Sequence, residues 1–423
     1  MTGHAGVSRS CDDSSPNALR LDQAWEHVLA TLTPMTASER VPLRDALGRV
    51  LANDVLATVD VPSSVNSAMD GYAIRGADLQ PDGSARLRIV GKALAGHRHT
   101  DPVGPGDCIR VTTGASMPVN TDTVVMQEQV QVDGEQAIVK PGQQTGQNVR
   151  QAGEDLARGE RILAAGTAIG VAELGVLGST GLVEVGVRRR LRAAFFSTGD
   201  ELRSAGQPLA PGEIYDSNRY SLYAALRSLG VETIDLGVVR DEPEALEAAL
   251  RMAAASADVI VTSGGVSVGE ADHVKTLMDR LGTVQFWKLA MRPGRPLAFG
   301  RIDNCALFGL PGNPVSVLAT WYQFVRPALR YLMGETVTPP VCFDVPTSEA
   351  LRKRPGRTEF QRGILETDAN GRLTVRSTGE QGSGILSSLT RADCFIVLEH
   401  DRGRVEPGEL VKVQPLRGIL DWR

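Results

Sequence analysis

Carboxylates at Asp200, Glu201, Asp241, Glu270 and Asp272 stand just beyond apolar runs rich in β-branched residues. Ala193 to Phe196 leads into Ser197-Thr198-Gly199-Asp200-Glu201, and Val231 to Val239 leads into Arg240-Asp241-Glu242-Pro243. The stretch Asp258 to Lys275 runs from a buried-strand pattern into Ser263-Gly264-Gly265 and resumes as a helix pattern after Gly269. A glycine-rich turn in that position exposes backbone N–H groups at a helix N-terminus, where unsatisfied donors and the helix dipole favour an anion. Ser263, Gly264 and Gly265 are therefore read as an oxyanion or phosphate cradle. Carboxylates beside a phosphate repel it unless a cation intervenes, so their co-occurrence points to Mg²⁺ bridging substrate phosphates and protein oxygens. The competing reading is that Glu201 and Asp272 only cap helices.

Cations accompany the acids. Lys288, Arg292 and Arg295 share a segment stiffened by Pro293 and Pro296, and Lys275 lies just past Asp272. Arginines in a rigid loop suit a tetrahedral oxyanion. Neither Gly-x-x-x-x-Gly-Lys-Ser/Thr nor Gly-x-Gly-x-x-Gly occurs, which disfavours an ordinary NTPase or a dinucleotide dehydrogenase. The residues alone describe a Mg²⁺-assisted enzyme acting on a phosphorylated small molecule.

A parallel sheet would bring these loops together. Cys305 to Leu310 is a further apolar strand entering Pro311-Gly312-Asn313-Pro314, with a helix pattern at Val315, Leu318, Ala319 and Tyr322. Helices are expected over Asn218 to Leu229, capped by Ser217 or Asn218 and stopped by Gly230, and over Pro243 to Ala255 with Pro243 as first residue. All strand-end turns of such a sheet lie at one edge, where open α/β sheets bind ligands. Upstream, residues 1 to about 18 are polar and read as disordered. Leu21 to Thr33 has helical spacing, and a second short helix is expected from Pro42 to Leu51. Short alternating segments follow at Arg86 to Val90, Cys108 to Val111, Thr123 to Met126 and Ala137 to Lys140, and the helical pattern returns at Val171 to Leu177. The tail turns β again at Phe343 to Val345, Thr358 to Leu365, Cys394 to Leu398 and Leu410 to Val413, with a hairpin turn at Asp368-Ala369-Asn370-Gly371.

The expected fold is thus α/β and β multidomain: a central α/β domain with a mostly parallel sheet, an inserted small β domain, a discontinuous helical linker domain and a C-terminal β domain. The boundaries read as 19–61 plus 151–188 for the linker and dimerisation unit, 62–150 for the insert, 189–335 for the α/β unit and 336–423 for the last. At 423 residues the chain exceeds one ordinary core. A net charge of -5 gives no basic excess for nucleic acid, and Arg188, Arg189, Arg190 and Arg192 read as a strand entry. No apolar stretch reaches the roughly 18 residues of a membrane helix and the N-terminus lacks a signal-peptide core, so a cytoplasmic location is expected. The scattered Cys11, Cys108, Cys305, Cys342 and Cys394 exclude a zinc or disulfide framework, and Cys305 and Cys394 read as core thiols. His97 and His99 lack further ligands nearby.

Six motifs then fall into a recognisable series: Ser67 to Ala73 (SAMDGYA), Gly212 to Arg219 (GEIYDSNR), Thr262 to Gly269, Lys288 to Pro296, Gly309 to Ser316 and Gly382 to Leu389. In order, over about residues 20 to 420, they resemble the molybdopterin molybdenumtransferases, the enzymes of the last step of molybdenum-cofactor synthesis, which include the E domain of gephyrin. The resemblance implies a transferase that takes adenylylated molybdopterin and molybdate and, with Mg²⁺, releases AMP. It implies a homodimer with sites shared between subunits, and as further partners the preceding adenylyltransferase and molybdoenzyme chaperones. By motif the catalytic residues fall on Asp70, Thr113, Glu201, Asp241 and Asp272; of these, Glu201 and Asp241 are read as the acids that place Mg²⁺, the division of the acids between metal and pterin staying open. Substrate binding falls on Ser263, Gly264, Gly265, Ser267, Lys275, Lys288, Arg295, Pro296, Pro311, Gly312, Asn313, Pro314, Ser316 and Ser383, with Arg357 or Arg362 beside molybdate. Arg292 and Arg295 stand where the family also carries lysine, which keeps the charge. A molybdopterin adenylyltransferase would share the α/β loops without needing the flanking β domains, and a pterin-binding scaffold would need partner domains.

Overall fold

The computed structural model describes residues 18–265 and 272–416. Helix α1 (Leu21–Thr31) buries Ala24 and Val28 one turn apart and ends where Leu32 turns extended. The expected helix from Pro42 to Leu51 is not formed. Ser38–Pro42 is instead a strand paired antiparallel with Glu184–Arg188, followed by one 3₁₀ turn at Leu43–Asp45. Gly48 at φ +72° and the bridges Val50↔Ala168 and Leu51↔Val187 then carry the chain away from helix geometry. The apolar spacing that suggested a helix instead fills a small core with Val41, Ala46, Leu51, Leu177 and Val187.

Strands β1 (Gly71–Ile74), β2 (Ala85–Ala93), β3 (Asp107–Val111), β4 (Thr123–Met126), β5 (Val130–Asp133) and β6 (Gln136–Val139) form one six-stranded sheet in the order β4-β1-β3-β2-β6-β5. Helix α2 (Val171–Ser179) follows, and Arg161–Leu163 pairs back onto Val55–Leu56, so chain from both sides of the sheet is rejoined.

The central unit alternates β7 (Arg192–Thr198), α3 (Ser217–Ser228), β8 (Glu232–Val239), α4 (Pro243–Ser256), β9 (Val259–Ser263) and α5 (Asp272–Leu281). It continues through β10 (Gly282–Lys288), β11 (Pro296–Ile302), β12 (Cys305–Leu310), α6 (Pro314–Thr320), a π turn at Trp321–Val325 and α7 (Arg326–Leu332). The sheet order is β8-β7-β9-β12-β11-β10, with the first four strands parallel and β11 antiparallel to both neighbours. Every residue of β9 and β12 is buried, as expected for a parallel sheet covered on both faces. Period-two alternation splits the packing: Phe195, Val261 and Phe308 face Leu222, Leu226 and Val317, whereas Phe196, Ile260 and Leu307 face Leu246, Leu250 and Leu277. The Asp258 carboxylate ties the strand entries together, pairing with Arg189 at 2.6 Å and accepting the Arg192 N–H at 2.8 Å.

The last sheet comprises β13 (Phe343–Pro346), β14 (Thr358–Thr367), β15 (Leu373–Ser377), β16 (Cys394–Leu398) and β17 (Leu410–Pro415). The 368–371 turn does join a hairpin, of which the sequence showed only the first strand. Met291–Arg292 adds to β14 in parallel, so this sheet is laced directly to the central unit. Cys108, Cys305 and Cys394 are buried, and burial pushes each thiol up to about 12. No helix among the described residues is long and apolar enough to cross a membrane.

Candidate active site at the sheet edge

The registers Thr198↔Val239, Ser197↔Ser263 and Ser263↔Leu310 align the C-terminal ends of β8, β7, β9 and β12. Because β11 runs the other way, with Ala298 opposite Gly309, its first residue Pro296 lies at this same edge. Lys288 is paired with Pro296 and lies there too. One edge therefore collects Asp200, Glu201, Asp241, Ser263, Gly264, Gly265, Lys288, Arg295, Pro296 and Pro311 to Asn313. Ser267 and Glu270, and the side chains of Asp272 and Lys275, lie outside the described residues.

Gly264 adopts φ +91°, and a Cβ there would sit 2.2 Å from the Thr198 carbonyl oxygen. Only glycine fits so close a crossing of two backbones. Its N–H donates to the Leu310 carbonyl at 3.1 Å, which fixes the loop across the ends of β7 and β12. Beyond β12, Pro314 is the first residue of α6 with Asn313 as its cap; the missing N–H of proline would be unpaired at that position anyway. The next N–H, on Val315, donates to the Ser383 carbonyl at 3.0 Å. That bond holds the Gly382 to Leu389 segment against the start of α6, next to the buried Ser316. The turn before β11 is clamped on the same helix. Gly294 has φ +99°, and a Cβ there would lie 2.6 Å from Thr320 Oγ1 and 3.4 Å from the Ser316 carbonyl oxygen, while the Arg295 carbonyl accepts the Leu289 N–H at 2.7 Å.

The acids sit beside this cradle. Thr198 Oγ1 reaches Asp241 Oδ1 at 3.5 Å, and the Asp241 N–H donates to Asp200 Oδ1 at 3.4 Å. The Glu201 carboxylate folds over Gly199, whose Cβ would lie 2.6 Å from Glu201 Oε2. Among the described residues no group of three or more His, Cys, Asp or Glu gathers at metal-binding spacing. Asp200, Glu201 and Asp241 offer hard oxygen donors of the kind Mg²⁺ takes, one or two at a time, alongside phosphates and water.

Asp70 and Thr113 meet elsewhere. Both the N–H and the hydroxyl of Thr113 donate to Asp70 Oδ1, at 2.7 and 2.8 Å. The Thr113 N–H, followed by its hydroxyl, holds the Asp70 carboxyl below its ordinary value. Among the described residues no hydrogen bond joins this pair to the sheet edge.

The two arginine candidates differ. Arg362 is 1% exposed, and its guanidinium donates to Ser388 Oγ at 2.9 Å and to the Gly382 carbonyl at 3.0 Å. Burial, with nearby Arg292, brings it down to about 10. It organises the segment that carries Ser383. Arg357 pairs with the buried Glu359 at 3.2 Å, and Arg292 approaches the same carboxylate at 4.0 Å.

Sequence reasoning missed Asn218 as a site residue. The helix cap is Asp216, whose side chain accepts the Arg219 N–H at 3.0 Å, not Ser217 or Asn218. The Asn218 amide turns inward and donates to Ser263 Oγ at 2.8 Å and to the Gly312 carbonyl at 2.6 Å. Asn218 is the second residue of α3, where asparagine is ordinary, so no local signal marked it.

An α/β sheet edge that joins a tight glycine turn, neighbouring carboxylates and a cationic turn, in a chain with two further β sheets, defines a multidomain α/β protein with an anion-binding edge. Residues 19–181 match the MoeA N-terminal region (domain I and II), 194–331 match a family described as a probable molybdopterin binding domain, and 344–416 match the MoeA C-terminal region (domain IV). A molybdopterin molybdenumtransferase of Haemophilus influenzae is 41% identical over 408 residues, covering 95% of this chain and 100% of its own. Gephyrin of Dictyostelium discoideum is 33% identical over 94% of this chain and 62% of its own length. The crystal structure of a molybdopterin biosynthesis moeA protein from Pyrococcus horikoshii superposes with a TM-score of 0.80 at 28% identity, over 94% of this chain and 100% of that one. The chain belongs to the molybdopterin molybdenumtransferase family, and the expected fold class is borne out.

Proposed function

We propose that this protein inserts molybdate into adenylylated molybdopterin, with Mg²⁺-dependent release of AMP, to give the molybdenum cofactor. The observation that carries this reading is the convergence of the Gly264 cradle, the Asp200, Glu201 and Asp241 acids and the Lys288–Arg295 turn at one sheet edge. Ser263 to Gly265 line the phosphate or the pterin end of the substrate, the Gly264 N–H being spent on the Leu310 carbonyl that fixes the turn. Asp241 and Glu201 would hold Mg²⁺, which when bound neutralises the phosphoanhydride and polarises it for cleavage. Arg295, Pro296, Ser316 and Ser383 form the molybdate side, with Arg362 keeping the Ser383 segment in place.

Asp70 and Thr113, which flank strands of the inserted sheet, act in this reading from the partner subunit of a homodimer, as the family resemblance implies. The domain division given above, a cytoplasmic location, and hand-over from an adenylyltransferase and to molybdoenzyme chaperones belong to the same proposal. The test supplies purified protein with adenylylated molybdopterin, Mg²⁺ and molybdate, and follows reconstitution of a molybdoenzyme apoprotein. Reconstitution that requires all three components supports the reading. Formation of adenylylated molybdopterin from ATP, or pterin binding without turnover, overturns it in favour of the adenylyltransferase or the scaffold.

A further inference from the structure

We infer that Asn218 is a positioning residue for the transfer reaction, a brace that sets the spacing between the cradle after β9 and the Pro311–Pro314 turn after β12. The inference rests on the proposed function for its meaning but on geometry for its content. Asn218 is 7% exposed in the first turn of α3. Its side-chain nitrogen donates to one group from each loop, Ser263 Oγ at 2.8 Å and the Gly312 carbonyl at 2.6 Å. A carbonyl only accepts, so the amide can face Gly312 in one orientation, with nitrogen inward. That orientation leaves Asn218 Oδ1 buried, and among the described residues it has no partner. Buried polar atoms are almost always satisfied, so a site that tolerates this one is held for the two bonds its nitrogen makes. Ser263 ends β9 and Gly312 lies two residues past β12. Past the ladder the Gly264 N–H reaches the Leu310 carbonyl at 3.1 Å and Ser263 Oγ reaches the Pro311 carbonyl at 3.5 Å, and Asn218 adds the shorter bonds that extend this link to Gly312.

Both bonds of the Asn218 amide go to Ser263 and Gly312, so its loss acts through those two segments. Asn218→Ala deletes both bonds. Asn218→Asp keeps the volume and still accepts from Ser263, yet turns an oxygen toward the Gly312 carbonyl. Both variants are expected to lose about 10- to 100-fold in kcat/KM for adenylylated molybdopterin, mostly in kcat, as for a misplacement of order 1 Å. Amide hydrogen exchange, read by mass spectrometry, is expected to speed up in peptides containing 263–265 and 310–314 and to stay unchanged in the sheet of β1 to β6. A space-filling role predicts that Asn218→Asp keeps activity where Asn218→Ala loses it, and that outcome overturns the inference. Wild-type kcat/KM in both variants, or exchange that rises throughout the chain, also overturns it. Should Asn218→Ala prove insoluble, Asn218→Ser, too short to reach both loops, is expected to show the same loss. Absence of AMP release by the wild type would sink the proposed function, while the exchange pattern would still decide the brace.

Discussion

Replacing Gly264 by alanine tests the cradle where its geometry is tightest. The added methyl would lie 2.2 Å from the Thr198 carbonyl oxygen, against the roughly 3.5 Å at which non-bonded atoms rest, so the loop or β7 must move by about 1 Å. Holding alanine at φ +91° costs a further ~1–2 kcal/mol. A displacement of that size at a reacting centre lowers the rate on the order of 100-fold, about 2.7 kcal/mol in the barrier. The assay is single-turnover AMP release from adenylylated molybdopterin, with urea denaturation of the same samples. Gly175 provides the contrast. It lies inside α2 with nothing within 4 Å of its would-be Cβ, so Gly175→Ala should gain about 0.5–1 kcal/mol and leave turnover alone. A Gly264→Ala protein with wild-type turnover and an unshifted urea midpoint would show that the cradle does not bind through this loop as folded.

Two further perturbations address the flanking sheets. In Thr113→Ala the hydroxyl is lost but the backbone N–H remains, so the Asp70 carboxyl should rise toward the ordinary value of about 3.9 without reaching it. Because the folded value is depressed, the contribution of this pair to stability is present above the unfolded pKa and is lost as pH falls through the folded one. A carboxyl-carbon NMR titration that shows Asp70 unchanged in the variant contradicts the assignment. Arg362→Ala should cost about 1–3 kcal/mol, because it removes the charged donor to Ser388 Oγ and to the Gly382 carbonyl at a buried site and leaves those two groups only their bonds to the Ile385 backbone. Faster exchange at the Val315 N–H, which the Ser383 carbonyl otherwise holds, would accompany the loss; protection equal to wild type would rule out the link between Arg362 and α6.

Much of this arrangement was written locally in the chain. Runs such as Val259 to Ser263 and Cys305 to Leu310 announce buried strands, and the Gly, Pro and Asp residues after them mark turns that a parallel sheet must place at one edge. What the sequence hid depends on distant partners. Ser38–Pro42 becomes a strand because Glu184–Arg188 returns to pair with it, and no local pattern reports that. Asn218 resembles a cap until Asp216 takes that role and frees its amide to reach Ser263 and Gly312. Arg362 reads as a substrate arginine, yet it is buried and spends its donors on the Gly382 to Leu389 segment. The Asp70 and Thr113 contact came only from the family's motifs, since two exposed polar residues so far apart in sequence carry no spacing signal.

The central claim is that the sheet edge couples molybdate to cleavage of an adenylylated pterin, with Asp241 serving the metal. It is tested most directly by AMP release from adenylylated molybdopterin in the presence of Mg²⁺, with and without molybdate, by wild type and by Asp241→Ala. The prediction is release that depends on molybdate in the wild type and is abolished in Asp241→Ala at any Mg²⁺ concentration. Release that ignores molybdate, or an Asp241→Ala protein that matches the wild type, would contradict it.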